Sequence, residues 1–332
     1  MGENGSVKIR TEVPKQQESM SELYFDEHST EGMRKDDGRE REISVGGKNG
    51  RAKRGLSGSD LKIIAIVTMF IDHFAAVILY ESLISGAFRT QTAWNVAYYT
   101  YDILRLVIGR ISFPIFCFLL VQGFEHTRNR VHYALRLFAF ALVSEIPFDL
   151  AFNQPLDGVL NRFSVFGLQF LEFDSQNVFF TLLLGLLVMM LTDVIMKTRI
   201  PLPDLPPEKQ KVQQIRNTVI LVIRILLAAA VLWCGVNAGN FFQTDYSGYG
   251  VLVIAVLYYL NRFRNEQIAV GTFAMIFGDY AFNGSVTELL APIGLLLTKF
   301  YNGERGMRMK YFFYVFYPVH LLLLVALREV LF

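Results

Sequence analysis

The chain has 332 residues, 52% of them hydrophobic and 14% aromatic, and its mean hydropathy is +0.34. That is more apolar than one soluble domain of this length, and a net charge of only +2 excludes a general nucleic-acid binder. The two cysteines, Cys117 and Cys234, both lie inside apolar runs, which excludes a disulfide framework or a zinc site and fits free core thiols.

Residues 1–57 are rich in Glu, Lys, Arg, Ser and Gly and nearly free of large apolar side chains. Such a segment buries too little surface to offset its ordering entropy, so it is expected to be a disordered, charged cytoplasmic tail. It lacks the apolar core behind positive charge that a cleavable signal needs. Nine apolar runs follow, at 61–80, 103–124, 132–152, 176–196, 217–236, 248–262, 267–283, 287–300 and 311–331, the sixth to eighth being short. About 20 apolar residues cross a bilayer as a helix. The expected fold class is therefore all-α, a polytopic transmembrane helical bundle of about nine spans occupying 58–332.

Orientation follows from the cations of short loops. Lys48, Arg51, Lys53 and Arg54 precede the first span. Alternate connections carry Arg128 and Arg130, then Lys197, Arg199, Lys209, Lys211 and Arg216, then Arg262 and Arg264, then Lys299, Arg305, Arg308 and Lys310. The other connections hold only Arg89 and Arg162. The N-terminus and the basic loops are thus expected in the cytoplasm, with the protein multi-pass in the cell membrane. The Pro-rich segment 200–211 reads as a semi-rigid linker between a four-span and a five-span half. The halves show no convincing repeat, which weakens a transporter reading.

Asp72 and His73 interrupt the first run, LKIIAIVTMFIDHFAAVILY. An ionisable side chain at that depth costs about 2.5–3.5 kcal/mol on insertion scales, so such a pair points to function. The topology brings other polar residues to the same outer half of the bundle: Arg105 and Arg110, Glu145 and Asp149, Gln176 and Asn177, Asp245 and Tyr246, and Asp279 and Tyr280. His320 falls near the middle of the last span. Arg136, Asp193 and Arg224 lie nearer the cytoplasm and read as snorkelling or interhelix partners. Glu145 and Asp149 are four apart and share a helix face, with Pro147 between them. Asp72 and His73 point about 100° apart, so a carboxylate that orients His73 must come from another helix. Glu145, Asp149 and Asp279 are the candidates, while Asp72 is free to pair with Arg105 or Arg110.

The segments LKIIAIVTMFIDHFAAVI, GRISFPIFCFLLVQGFEHTRN, YALRLFAFALVSEIPFDLAFN, QNVFFTLLLGL, DYSGYGVL and YFFYVFYPVHLLLL resemble, in order, those of the TraX family. The resemblance covers about 56–332. It implies a polytopic membrane acyltransferase that takes an acetyl or other short acyl group from acyl-coenzyme A. The name-giving member is associated with N-acetylation of a conjugative pilin, whereas here the acceptor is left open among an envelope protein, glycan or lipid.

Carried onto this chain, the resemblance makes His73 of the DH motif the first candidate base. His320 of the FYPVH motif is the alternative base or an oxyanion donor. Acyl transfer needs a proton acceptor and a stabilised oxyanion. Glu145, Asp149 or Asp279 would orient the imidazole, and Arg105 and Arg110 would hold negative charge. Gln176, Asn177, Tyr280 and Glu125 complete the candidates for substrate or coenzyme contact. No serine or cysteine stands in a nucleophile motif, and no phosphate loop or metal-ligand spacing is present. Acyl-coenzyme A is cytoplasmic while the cluster lies outward, so a funnel through the bundle is expected, with cytoplasmic cations near the coenzyme's phosphates. The rivals are a proton-coupled transporter or flippase and a non-catalytic scaffold.

Overall fold

The structure, a computed structural model, describes residues 54–153, 164–165, 168–169, 171, 175–198, 206 and 209–332. The expected tail up to residue 53, Arg162, Arg199 and most of the 200–211 linker lie outside the described residues. The described residues form nine helical elements. These are α1 Gly58–Ile84, α2 Gln91–Glu125, α3 Arg130–Phe152, α4 Val178–Lys197, α5 Gln210–Phe241, α6 Ser247–Tyr259, α7 Arg264–Asn283, α8 Thr287–Thr298 and α9 Lys310–Leu331. A two-residue antiparallel ladder, Ser164–Val165 with Leu168–Gln169, lies between α3 and α4.

Each expected apolar run coincides with a helix, and the protein is a helical membrane protein. Five helices are long and apolar enough for a full crossing: α1, α2, α4, α5 and, in α9, Phe312–Leu331. The apolar helices α6 and α8 are shorter. The 35 residues of α2 begin well before the expected residue 103. At 1.5 Å per residue they exceed the ~30 Å hydrocarbon layer. Its first turns carry exposed Tyr98 and Tyr99 beside Trp94, the amphipathic aromatics that suit a membrane–water interface.

The helix ends are written locally. Ser57 and Asp60 form a reciprocal capping box at the start of α1. Asn177 caps α4 through its side-chain oxygen, which accepts from the Phe179 N–H at 3.0 Å. Gly284, at φ +65°, ends α7 in the left-handed conformation that glycine adopts without penalty.

The second half of α2 is the core. Phe113, Ile115, Cys117, Phe118, Val121 and Phe124 are essentially inaccessible there, with α1, α6 and α8 packed around them. Cys117 is thus a packing residue, whereas Cys234 is exposed. Helix α5 is the opposite case and buries only Ala228, Gly235 and Gly239, leaving an apolar surface suited to lipid.

The start of α1 is stitched to the connection before α9. Leu56 N–H donates to the Phe300 carbonyl at 2.8 Å, Asn302 N–H to that of Leu56 at 2.9 Å, and Gly58 N–H to that of Glu304 at 2.8 Å. Met307 N–H donates to Ser59 Oγ at 3.1 Å. These bonds fix the two helices that carry His73 and His320.

Helix α5 approaches α6 closely because Gly239 has no side chain, and a Cβ there would stand 2.7 Å from the Ser247 carbonyl oxygen. Gly239→Val is expected to destabilise the fold by about 1–3 kcal/mol, seen as a lower unfolding temperature in detergent.

Candidate functional site

A cavity of about 220 Å³ opens among α1, α2, α3, α4, α9 and the α5–α6 connection. Its wall includes Met69, Asp72 and His73 from α1, Arg105, Arg110, Phe113 and Phe116 from α2, Phe148 and Phe152 from α3, Asp245, Tyr246 and Tyr317. Asn153, Ser175 and Val178 close it at the α3–α4 side.

His73 Nδ1 meets His320 Nε2 at 2.7 Å, and His320 Nδ1 meets the Phe316 carbonyl at 2.8 Å. A carbonyl only accepts, so His320 Nδ1 carries a proton. In the neutral ring its Nε2 is then an acceptor, which places the proton of His73 on Nδ1. The lone pair of His73 is left on Nε2, the free nitrogen of the ring that lines the cavity. The two imidazoles are parallel within 5°. Phe316 stacks on His320 at 4.8 Å, and Phe152 stands edge-on to His73 at 5.2 Å between centroids. The expectation that Glu145, Asp149 or Asp279 orients His73 is not met, because the nitrogen that would face a carboxylate faces a second histidine.

The helices are irregular here. A π-helical turn, Ala75–Leu79, follows His73 directly, and another, Ile103–Ile108, carries Arg105 and leads into a 3-10 turn at Gly109–Ile111. Such turns are frequent at functional sites because they redirect side chains within a helix. Gly109 lets the backbone of α2 approach Asp72, whose carboxylate occupies the space a Cβ would need.

Asp72 pairs with Arg105, Nε to Oδ1 at 3.4 Å, as the angular offset from His73 allows. Arg110 instead pairs with Glu288 at 2.9 Å, and Glu288 is only 1% exposed. Asp279 accepts from Ser285 Oγ at 2.8 Å, Thr287 Oγ1 at 3.1 Å and the Glu288 N–H at 3.1 Å. It thereby shapes the turn that presents Glu288. Asp245 lies on the connection before α6, where the Gln176 carbonyl accepts its N–H at 2.8 Å. Enclosure by protein raises its carboxyl to about 6, against the opposing pull of Arg110 and Arg105. Its side chain still opens onto the cavity, so water there reduces the effect of that enclosure.

The remaining sequence candidates lie elsewhere. Glu145 accepts from the side chain of Asn177 and from its N–H at 3.3 Å, tying α3 to the start of α4. Asp149 accepts from Asn153 Nδ2 at 2.9 Å. Both acids are buried, and neither lines the cavity. Gln176 contributes backbone bonds, Tyr280 is 62% exposed, and Glu125 is exposed at the opposite end of α2. Asp193 pairs with Arg130, with Lys197 at 2.7 Å, and accepts from Tyr258 at 2.7 Å, the interhelix role expected of it. Arg224 donates to the carbonyls of Met196 and Thr198, and Arg136 lies over the rings of Tyr133 and Tyr314.

Glu288 and Tyr317 are site residues that sequence reasoning missed. Glu288 is an acid in the apolar run VTELLAPIGLLL, the same signal that singled out Asp72. Tyr317 is three residues before His320 and therefore shares its helix face.

Long apolar helices enclosing ion pairs and two hydrogen-bonded imidazoles define an integral membrane protein with a buried polar site. The model of the TraX protein family matches residues 57–328, and the chain belongs to that family. It is 33% identical over 290 residues to the probable fimbrial assembly protein FimC, serogroup H1, of Dichelobacter nodosus, covering 82% of this chain and 96% of that protein. No solved structure matches.

Removing one member of the Arg110–Glu288 pair strands the other. Arg110→Met is expected to destabilise by about 3–5 kcal/mol, and adding Glu288→Leu should restore much of the loss, measured by unfolding in detergent.

Proposed function

We propose that this protein is a membrane acyltransferase that moves a short acyl group, acetyl in the simplest case, from acyl-coenzyme A to an amine or hydroxyl of an envelope or surface acceptor. The supporting observation is the chain from the Phe316 carbonyl through His320 to His73, which leaves one free imidazole nitrogen on a residue of the cavity wall. His73 Nε2 takes the proton of the attacking group, and the resulting imidazolium keeps its Nδ1–H bond to neutral His320. Arg105, half of an ion pair on the cavity wall, contributes positive potential beside the reacting groups.

Acyl-coenzyme A would supply the activated acyl group as a thioester. A cavity of about 220 Å³ suits the acyl thioester and the reacting end of an acceptor, and it is too small for the nucleotide. The nucleotide therefore belongs outside it, beside the cations of the basic connections. Arg130 is already engaged by Asp193, which removes it from that role. Membership of the TraX family, and the fimbrial assembly named for the Dichelobacter nodosus relative, support a subunit of a surface fibre as acceptor. The basic connections favour a multi-pass protein of the cytoplasmic membrane with its N-terminus inside.

The test is transfer of label from radiolabelled acetyl-coenzyme A to extracted envelope by the purified protein. His73→Ala and His320→Ala are each expected to lower transfer about 10²–10⁴-fold, while removal of residues 1–50 leaves turnover intact. Absence of His73-dependent transfer, together with substrate-driven flux in proteoliposomes, would overturn the proposal in favour of a transporter.

A further inference from the structure

Helix α9 presents two groups side by side toward α1. His320 is occupied by the Phe316 carbonyl and by His73. Tyr317, one helical turn earlier, is 3% exposed and lines the cavity. Its ring is locked edge-on between Phe179 at 5.0 Å and the imidazoles of His73 at 5.9 Å and His320 at 5.7 Å, centroid to centroid. A ring so held aims its hydroxyl in one fixed direction.

No group among the described residues accepts the proton of that hydroxyl. A buried tyrosine hydroxyl ordinarily finds a partner, and an orphan calls for an explanation. The Tyr317 ring packs on Phe179 in the first turn of α4, and Val178, which opens that helix, also forms part of the cavity wall. The first N–H groups of a helix carry the positive end of its dipole. A buried, uncommitted O–H on a residue of the cavity wall, near the first turn of a 20-residue helix and beside a free imidazole nitrogen, has the make-up of an oxyanion site.

We propose that Tyr317 is the oxyanion donor of the cavity, its hydroxyl hydrogen-bonding the acyl oxygen as that oxygen gains negative charge. The assignment rests on the acyltransferase reading. The acceptor's nitrogen or oxygen forms a bond to the thioester carbonyl carbon while His73 Nε2 takes its proton. The carbonyl electron pair moves onto oxygen, where the Tyr317 O–H donates to it. When that pair returns, the carbon–sulfur bond breaks and the sulfur leaves as a thiol with the proton returned by His73. The structure thereby separates proton transfer, on α1, from charge stabilisation, on α9 and the start of α4.

Tyr317→Phe removes the hydroxyl and keeps the ring. In the labelled-transfer assay kcat is expected to fall about 10²–10³-fold with KM for the acyl thioester nearly unchanged. The unfolding temperature should stay level or rise, because the lost hydroxyl had no partner. Incorporating 3-fluorotyrosine at 317 keeps the donor and should restore most of kcat. Wild-type transfer that depends on His73 but is matched by Tyr317→Phe would overturn this assignment alone. A kcat loss accompanied by a lower unfolding temperature, and not restored by 3-fluorotyrosine, would also overturn it in favour of a packing role. Absence of His73-dependent transfer by the wild type would overturn the acyltransferase reading and this assignment together.

Discussion

The hydrogen bond between His73 and His320 joins the first and last helices of the bundle at 2.7 Å. A neutral imidazole has one donor and one acceptor, so two facing rings admit two proton orders. The Phe316 carbonyl removes that choice, since it accepts from His320 Nδ1 and holds every proton of the chain in place. Such an arrangement needs α1 and α9 in one register. The backbone bonds between the start of α1 and the connection before α9 supply it. Packing by Phe316, Phe152 and Tyr317 keeps the rings from turning.

The charges around the pair follow from the cost of ions at membrane depth. Asp72 is matched by Arg105 and Glu288 by Arg110, which leaves Asp245 as the acid facing the cavity without a bonded cation among the described residues. Breaking a buried pair costs far more than its net contribution to stability. Each partner is therefore held by a specific piece of backbone: the π-helical turn that carries Arg105, Gly109 beside Asp72, and the turn that Asp279 organises around Glu288. The charges of Asp72 and Glu288 are thereby neutralised within the protein rather than by solvent.

Much of this was legible in the sequence. Hydropathy located each helix of the described residues, because a bilayer requires runs of apolar residues that few soluble constraints would produce. The 100° offset between adjacent residues separates Asp72 from His73 and left Asp72 to pair with Arg105 or Arg110, and the structure forms the pair with Arg105. The partner of His73 was not legible, since periodicity within α1 says nothing about the axial position of α9 beside it. Asp279 was expected in the site and instead supports it, because the turn from Gly284 to Glu288 folds back and presents the next acid. The length of α2 was hidden as well, since its first turns are polar and aromatic and fall below any hydropathy threshold for a span. Family membership and the relative in Dichelobacter nodosus agree with the series of motifs from which the resemblance was read.

The central claim is the proton order of the imidazole chain, and nitrogen NMR reads it directly. Purified protein labelled with ¹⁵N at its five histidines would be examined in detergent or lipid, with His73 and His320 assigned by single substitution. The account predicts that both rings are neutral and protonated on Nδ1, with His73 Nε2 bare and a coupling across the His73–His320 hydrogen bond. A proton on His73 Nε2, or no coupling between the two rings, would contradict it.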